Sequence, residues 1–169
     1  KITVIDGKTF QLTDSIKSIL SDDKGIESYS QVVEERVFLK HKDKQHIATI
    51  KGVDKNYTRV VAIDSSLIVG TWIDPEFKNT VVIGNGISYK LSLGIYNFGE
   101  VLEIFVPKPG SGYLNPNNAF NSIKCQVIGV YDGTEDFRNK YVFTELPLAQ
   151  DLLNYPEDYI SALELKINL

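Results

Sequence analysis

Few side chains in this 169-residue sequence have the type and spacing that chemistry requires. His41 and His46 are its only histidines. They sit on the two arms of one predicted hairpin, where two imidazoles would meet at a metal only if the hairpin brings them together. No third ligand lies nearby, and a zinc site needs three or four. The two read as surface polarity on a hairpin. No histidine stands in a pattern with a serine or with Cys125, so no nucleophile–base triad can be assembled. Cys125 is the single cysteine, which forbids an internal disulfide, and its apolar alternation reads as a small core residue. Glu34-Glu35 and Glu135-Asp136 are adjacent carboxylates. Neighbours on a strand point to opposite faces, so Glu34 and Glu35 cannot act on one substrate together, and both pairs read as solvated edge or loop. Asp132–Asp136 lacks the alternate-position oxygen ladder of a calcium loop. Asn56-Tyr57-Thr58 fits a glycosylation acceptor, a pattern short enough to arise by chance.

Gly84-Asn85-Gly86 follows the apolar run Val81-Val82-Ile83 and invites a nucleotide-binding reading. That reading fails. The third glycine of the dinucleotide fingerprint is missing, because Gly86 is followed by Ile87, Ser88 and Tyr89. The helix that follows is too short for an ordinary βαβ crossover, and no complete phosphate-loop motif occurs. The two glycines are expected to supply the positive φ values of a tight turn. After them Ile87 and Leu91 share a helical face, Gly94 is the expected stop, and Val101, Ile104 and Val106 form a second strand ended by Pro107.

Composition bounds the class. Hydrophobic residues make up 43% and charged residues 24%, ordinary values for a globular chain of one domain or two small subdomains. A net charge of −4 and a pI near 5.2 argue against nucleic acid, which wants a basic stripe. No apolar run reaches the ~18 residues of a membrane span. Lys1 leads straight into a strand-like segment with no signal-peptide pattern.

The elements that must position these residues follow in order. Ile2–Ile5 suggests a strand. Thr13 or Asp14 caps a helix with Ile16, Ile19 and Leu20 on its apolar face. Ile26–Lys40 is a long strand with Val33, Val37 and Leu39 on one face and Val32 and Phe38 on the other. Lys42-Asp43-Lys44 turns it into a partner carrying Ile47–Val53. Val60–Ile63 is a possible short strand, and Leu67–Trp72 is another apolar cluster. Ile123, Cys125 and Val127 belong to a further strand. Tyr141–Thr144 is a strand, and Pro147 opens a helix with Leu148 and Leu152 on its buried face. A last strand runs from Ile160 to Ile167. The outer segments thus read β-α-β-β and β-α-β around a β-rich centre. The expected class is α+β: a split-βαβ, ferredoxin-like sandwich formed by residues 1–59 and 133–169, with 60–132 as an inserted β-rich subdomain. Two helices would cover one face of the sheet, and the first and last strands would leave from one end of it.

The segments VVIGNGISYKLSLG (Val81–Gly94), GEVLEIFVP (Gly99–Pro107), CQVIGVYD (Cys125–Asp132) and YVFTELPLAQDLL (Tyr141–Leu153) resemble, in order and spacing, the extracytoplasmic core domain of ABC-transporter permeases of the MacB, FtsX and LolC/LolE type. The likeness spans nearly the whole chain, and the lipoprotein-releasing permeases are the nearest in pattern. It implies a porter-type fold with a sabre-type insertion, placed in the periplasm and anchored in the bacterial inner membrane by helices outside these residues. It also implies a separate cytoplasmic ATPase, a dimer with itself or a paralogous permease, and no catalysis or cofactor in this domain. In the lipoprotein-releasing relatives the stretch between the Val-Pro and the Val-Ile-Gly is a projecting hook that recruits the periplasmic lipoprotein carrier. Here that stretch is Lys108, Pro109, Gly110, Ser111, Gly112, Tyr113, Leu114, Asn115, Pro116, Asn117 and Asn118. It is the candidate partner-binding loop, with Tyr113 and Leu114 as its apolar anchor; as an ordinary connector it would instead pack Tyr113 back on the insertion. The same resemblance admits a macrolide or peptide exporter, or a mechanotransmitter that regulates a cell-wall hydrolase. A secreted binding module unrelated to transport is a further alternative.

Overall fold

The computed structural model describes residues 1–107 and 120–169. Two short strands come first, β1 (Ile2–Thr3) and β2 (Phe10–Gln11). Helix α1 (Asp14–Asp22) starts where Thr13 accepts a hydrogen bond from the Ile16 amide, a side-chain cap that satisfies one free N–H. Then β3 (Ile26–His41) and β4 (Lys44–Val53) form the long hairpin. The predicted strand at Val60–Ile63 is instead helical: α2 (Tyr57–Val60) and a 3-10 turn, Ile63–Ser66, carry the chain over the outside of the sheet to β5 (Leu67–Gly70). Asp54 sets this path, because its carboxylate accepts from the Asn56 amide, the Gln31 amide and the Ser30 hydroxyl. The local hydrogen bonds of an Asp in a turn override the β-branched content that follows.

β6 (Thr80–Gly84) is buried along its whole length and runs directly into α3 (Asn85–Leu91). The glycines at this junction do not make a positive-φ turn. Gly84 has φ −68° and caps the helix, and Gly86 lies within it. Their role is close approach. A Cβ on Gly84 would run into the Arg138 carbonyl, and one on Gly86 into the Asn139 side chain. The left-handed residue that ends α3 is Ser92, at φ 50°, rather than Gly94. Beyond it come β7 (Leu102–Pro107), β8 (Phe120–Tyr131), α4 (Glu135–Arg138), β9 (Tyr141–Glu145), α5 (Leu146–Leu153), β10 (Tyr159–Ile160) and β11 (Ala162–Ile167). Pro147 sits in the first turn of α5 as predicted.

The sheet does not stay open. β3 pairs with β4, β4 with β9, β9 with β6, β6 with β8, β8 with β7, and β7 with β3. That cycle is a closed six-stranded barrel. The architecture is mixed α+β, with closure in place of the expected sandwich with one partly wet face. The barrel draws β3, β4 and β9 from 1–59 and 133–169, and β6, β7 and β8 from 60–132. Closure follows from β3 being longer than any one partner. Its far edge pairs with β11 over Ile26–Val32 and with β7 over Phe38–Lys40. Residues before Val32 extend past β4 and form, with β11 and β1, a three-stranded ribbon leading away from the barrel.

Inside the barrel Val33, Val37, Leu39, Ile50, Val81, Ile83, Ile104, Cys125 and Val142 form the main core with α3 and α5. β6 and β9 are antiparallel, so the helices that follow them lie at opposite ends. A second core lies on the outer wall, where Val32, Val53, Val82, Phe143 and Ala162 meet Tyr57, Ile63 and Tyr131.

The barrel has two like halves. In each, an antiparallel hairpin (β3–β4, or β7–β8) leads, through α2, the 3-10 turn and β5 in the first and through α4 alone in the second, to a strand that enters a helix directly (β6–α3, or β9–α5). Both helices end on a left-handed residue, Ser92 or Asn154. Each half's third strand pairs in parallel with the second strand of the other half, β6 with β8 and β9 with β4.

Candidate partner-binding surface

The candidate loop, Lys108 to Asn118, lies outside the described residues. Its two roots are described. Pro107 ends β7 directly opposite Phe120, which opens β8, so the loop springs from the open end of a hairpin. β7 runs antiparallel to β3, so its end faces the side where β3 leaves the barrel for the ribbon. α5 and the three-stranded ribbon occupy that same side. The loop is therefore rooted on the side of the barrel that the chain ends approach, away from the β3–β4 hairpin tip.

The roots carry exposed apolar area. Phe38, Ile47 and Phe120 are 46%, 51% and 44% exposed, and the Phe38 and Phe120 rings meet edge to face at 6.3 Å. Single exposed apolar residues are ordinary, and a contiguous set beside a groove is a candidate contact surface. The apolar lining of the groove, of about 660 Å³, includes Val37, Phe38, Ile47, Val106, Pro107 and Leu153, with Tyr155 beside them. Its rim holds Arg36 and a Lys8–Glu35 ion pair at 2.7 Å. The hydrogen bond to Glu35 raises the Lys8 pKa above its ordinary value, and burial raises that of Tyr155. This chemistry suits holding an apolar side chain.

The other residues singled out above do not gather there. His41 is buried rather than a surface residue of the hairpin: Nδ1 faces the Leu91 carbonyl at 2.7 Å and Nε2 faces Glu100 at 2.8 Å. Glu100 also pairs with Lys42 at 2.7 Å, and that lysine, with His41 and Asn97, holds the carboxyl below the usual range. The His46 Nε2 instead faces the Asn139 carbonyl at 2.9 Å, so the two imidazoles serve separate contacts. Burial pushes the Cys125 thiol up to about 12, which leaves it protonated and unreactive at neutral pH. Among the described residues no group of three or more His, Cys, Asp or Glu side chains could hold a metal ion, and no helix is long and apolar enough to cross a membrane.

Glu34 and Glu35 point to opposite faces, as strand geometry requires, but neither is a free edge carboxylate. Glu35 meets Lys8, and Glu34 meets Lys1 and the buried Lys51, each at 3.1 Å. Burial acts to raise the Glu34 pKa, and the charges of Lys51 and Lys1 outweigh it, so the net shift is downward. A carboxylate with a depressed folded-state pKa contributes stability above its unfolded value and loses it as pH falls through the folded one. Wild-type stability is accordingly expected to fall more steeply than that of Glu34→Gln between about pH 5 and pH 3. Urea midpoints at a series of pH values check this, and parallel curves would show that the pair carries no linkage.

No protein-family model matches the sequence, and a search of curated proteins finds no match. Solved structures do match. The extracellular domain of the ABC-type transporter YknZ from Gram-positive bacteria superposes with a TM-score of 0.64 at 12% identity, over 97% of this chain and 76% of that one. The periplasmic region of MacB from Actinobacillus actinomycetemcomitans gives 0.60 at 16% identity, over 94% and 66%. The chain shares the backbone fold of these two domains. A domain of a putative permease protein from Porphyromonas gingivalis gives 0.55 at 14% identity, over 90% and 66%. The chain therefore spans 66% to 76% of the length of these three domains. At such identities the likeness is one of backbone architecture. Side-chain roles must come from the chain itself.

Proposed function

We propose that this chain is the extracytoplasmic domain of an ABC-transporter permease in a bacterial inner membrane. In this proposal it catalyses nothing, binds a partner outside the membrane, and couples the motion driven by a cytoplasmic ATPase to lipoprotein release. One observation carries the reading. β1 and β11 are antiparallel neighbours, with Ile2 opposite Leu163, so the start of the first strand and the end of the last leave the sheet on the same side. Two membrane helices flanking the domain require that arrangement. Segments 1–59 and 133–169 then correspond to the porter-type part and 60–132 to the sabre-type part, with the barrel shared between them.

The partner-binding element in this reading is the loop from Lys108 to Asn118, with Tyr113 and Leu114 as the anchor. Pro109 and Pro116 restrict the unbound chain, so less entropy is lost on docking. An aromatic beside an aliphatic is the kind of anchor that dominates a small interface. Replacing Tyr113 and Leu114 together by Ser is expected to weaken binding to the lipoprotein carrier of the same organism about tenfold or more, near 1.4 kcal/mol, with the melting point unchanged. Unchanged affinity would reduce the loop to a connector. If the wild type binds no carrier, the second reading stands: an exporter or mechanotransmitter of the same family. The fold shared with the transporter YknZ and with MacB favours that alternative.

A further inference from the structure

Lys51 is 4% exposed, an unusual place for an ammonium group, which is almost never fully buried unless paired. It lies on β4, a stave of the barrel, and points to the outer wall. There its Nζ stands 2.7 Å from Glu164 Oε1 and 3.1 Å from Glu34 Oε1, with the rings of Tyr141 and Tyr57 at 5.0 and 5.3 Å. Burial acts to lower the Lys51 pKa, and Tyr57, Glu164 and Glu34 more than reverse it, so the group is held charged.

The carboxylates come from different places. Glu34 is directly opposite Lys51 on β3, at the point where β3 leaves one partner for another. Glu164 is on β11, which is outside the barrel. β11 is joined to the rest of the sheet by the ladders to β1 and to the portion of β3 between Ile26 and Val32, and that portion lies almost wholly beyond β4. The Lys51–Glu164 contact is thus a direct tie from a barrel strand to the strand that carries the chain's C-terminal end. Lys1 adds the other end: its Nζ reaches both oxygens of Glu34 at 3.1 Å. Ser161, just before β11, accepts from the Glu34 amide at 3.0 Å. Lys1, Glu34, Lys51 and Glu164 form one continuous chain of charge joining both ends of the domain to the barrel wall.

We infer that this network is a mechanical clasp, which stops the β1–β11–β3 ribbon from peeling through its base and passes load from the two chain ends into the barrel. The inference rests on the reading that both ends lead to moving membrane segments. A ribbon held by backbone ladders alone opens from its end one hydrogen-bonded pair at a time. The pairs from Ile167 to Leu165 lie ahead of the tie, and the charge-assisted contact at Glu164 arrests the opening at the ribbon's base; it acts only in the native geometry.

The test is force spectroscopy on the chain tethered at its two ends. The wild type is expected to yield in a single step. Glu164→Gln, which keeps the Lys51–Glu34 pair, is expected to yield in two, with the ribbon opening first and at a force lowered by about a third or more. A wild type that releases its ends before the barrel, or a variant that still yields in one step at the wild-type force, would overturn the clasp. Amide exchange gives a second measurement. In Glu164→Gln the amides of β11 and β1 should exchange about tenfold faster while those of β6 and β9 change less than twofold. An equal acceleration everywhere would mean that the network stabilises the whole domain and isolates no end. Lys51→Met strands two carboxylates and is expected to show the larger effect if it folds; if it does not, Glu164→Gln decides. Neither measurement involves a partner, a membrane or an ATPase, so the clasp and the transporter reading fail separately.

Discussion

Val82→Asp is expected to unfold the domain or to cost roughly 3–5 kcal/mol, because it leaves an unpaired carboxylate in a dry site. Val82 has no exposed surface and faces the outer core, where it packs with Phe143, Tyr131 and Ile63. It pairs with Phe143 on β9 and with Gly129 on β8, so no backbone edge is open to admit water. Mutant and wild type are compared by thermal and urea unfolding. A midpoint within about 2 °C of wild type would mean that the side chain reaches solvent.

Phe143→Ala is expected to cost about 3–5 kcal/mol. The ring is fully buried. It meets Trp72 at 5.3 Å, Tyr131 at 5.4 Å, Tyr141 at 5.5 Å and Tyr57 at 5.8 Å between centroids. Removing it empties the middle of that ring stack, and rigid aromatic neighbours collapse poorly into a void. Trp72 is the only tryptophan of the chain, so its fluorescence reports directly on the site. The emission should shift to the red in the folded mutant and unfold at lower urea. A loss under about 1 kcal/mol would show that α2 and the segment leading to β5 close over the gap.

Much of this was legible in the sequence wherever a local rule decides. The Val81–Ile83 run reads as a strand buried on both faces, and β6 is one. Thr13 caps a helix in the predicted place, and Ile87 and Leu91 face the core from α3 as their spacing requires. Closure was not legible. Alternation along β3 says which side chains face inward; it does not say that the lower and upper parts of one strand edge pair with different partners. The glycines at Gly84 and Gly86 show the same limit. Composition marks a position where a Cβ is unwelcome, but whether for φ or for space depends on Arg138 and Asn139, about fifty residues away in sequence. His41 reads as surface polarity on the hairpin, and nothing in the sequence singles out Lys51. Their burial is set by β11 and by Glu100, contacts more distant than any periodicity reaches. Of the candidate surface, the sequence indicated the loop; the apolar groove at its roots needed the β3–β7 pairing to be seen.

The exchange of third strands between the two halves of the barrel has a consequence for how the domain comes apart. Each half lends a strand to the other, so the molecule is topologically an intertwined dimer written on one chain, with the 92–101 connector as the link between protomers. Neither protomer can close a sheet alone, since β6 needs β8 and β9 needs β4. Neither half is expected to survive as a folded intermediate, so the barrel should unfold as a single cooperative unit. Whatever grips it at either end holds all of it at once.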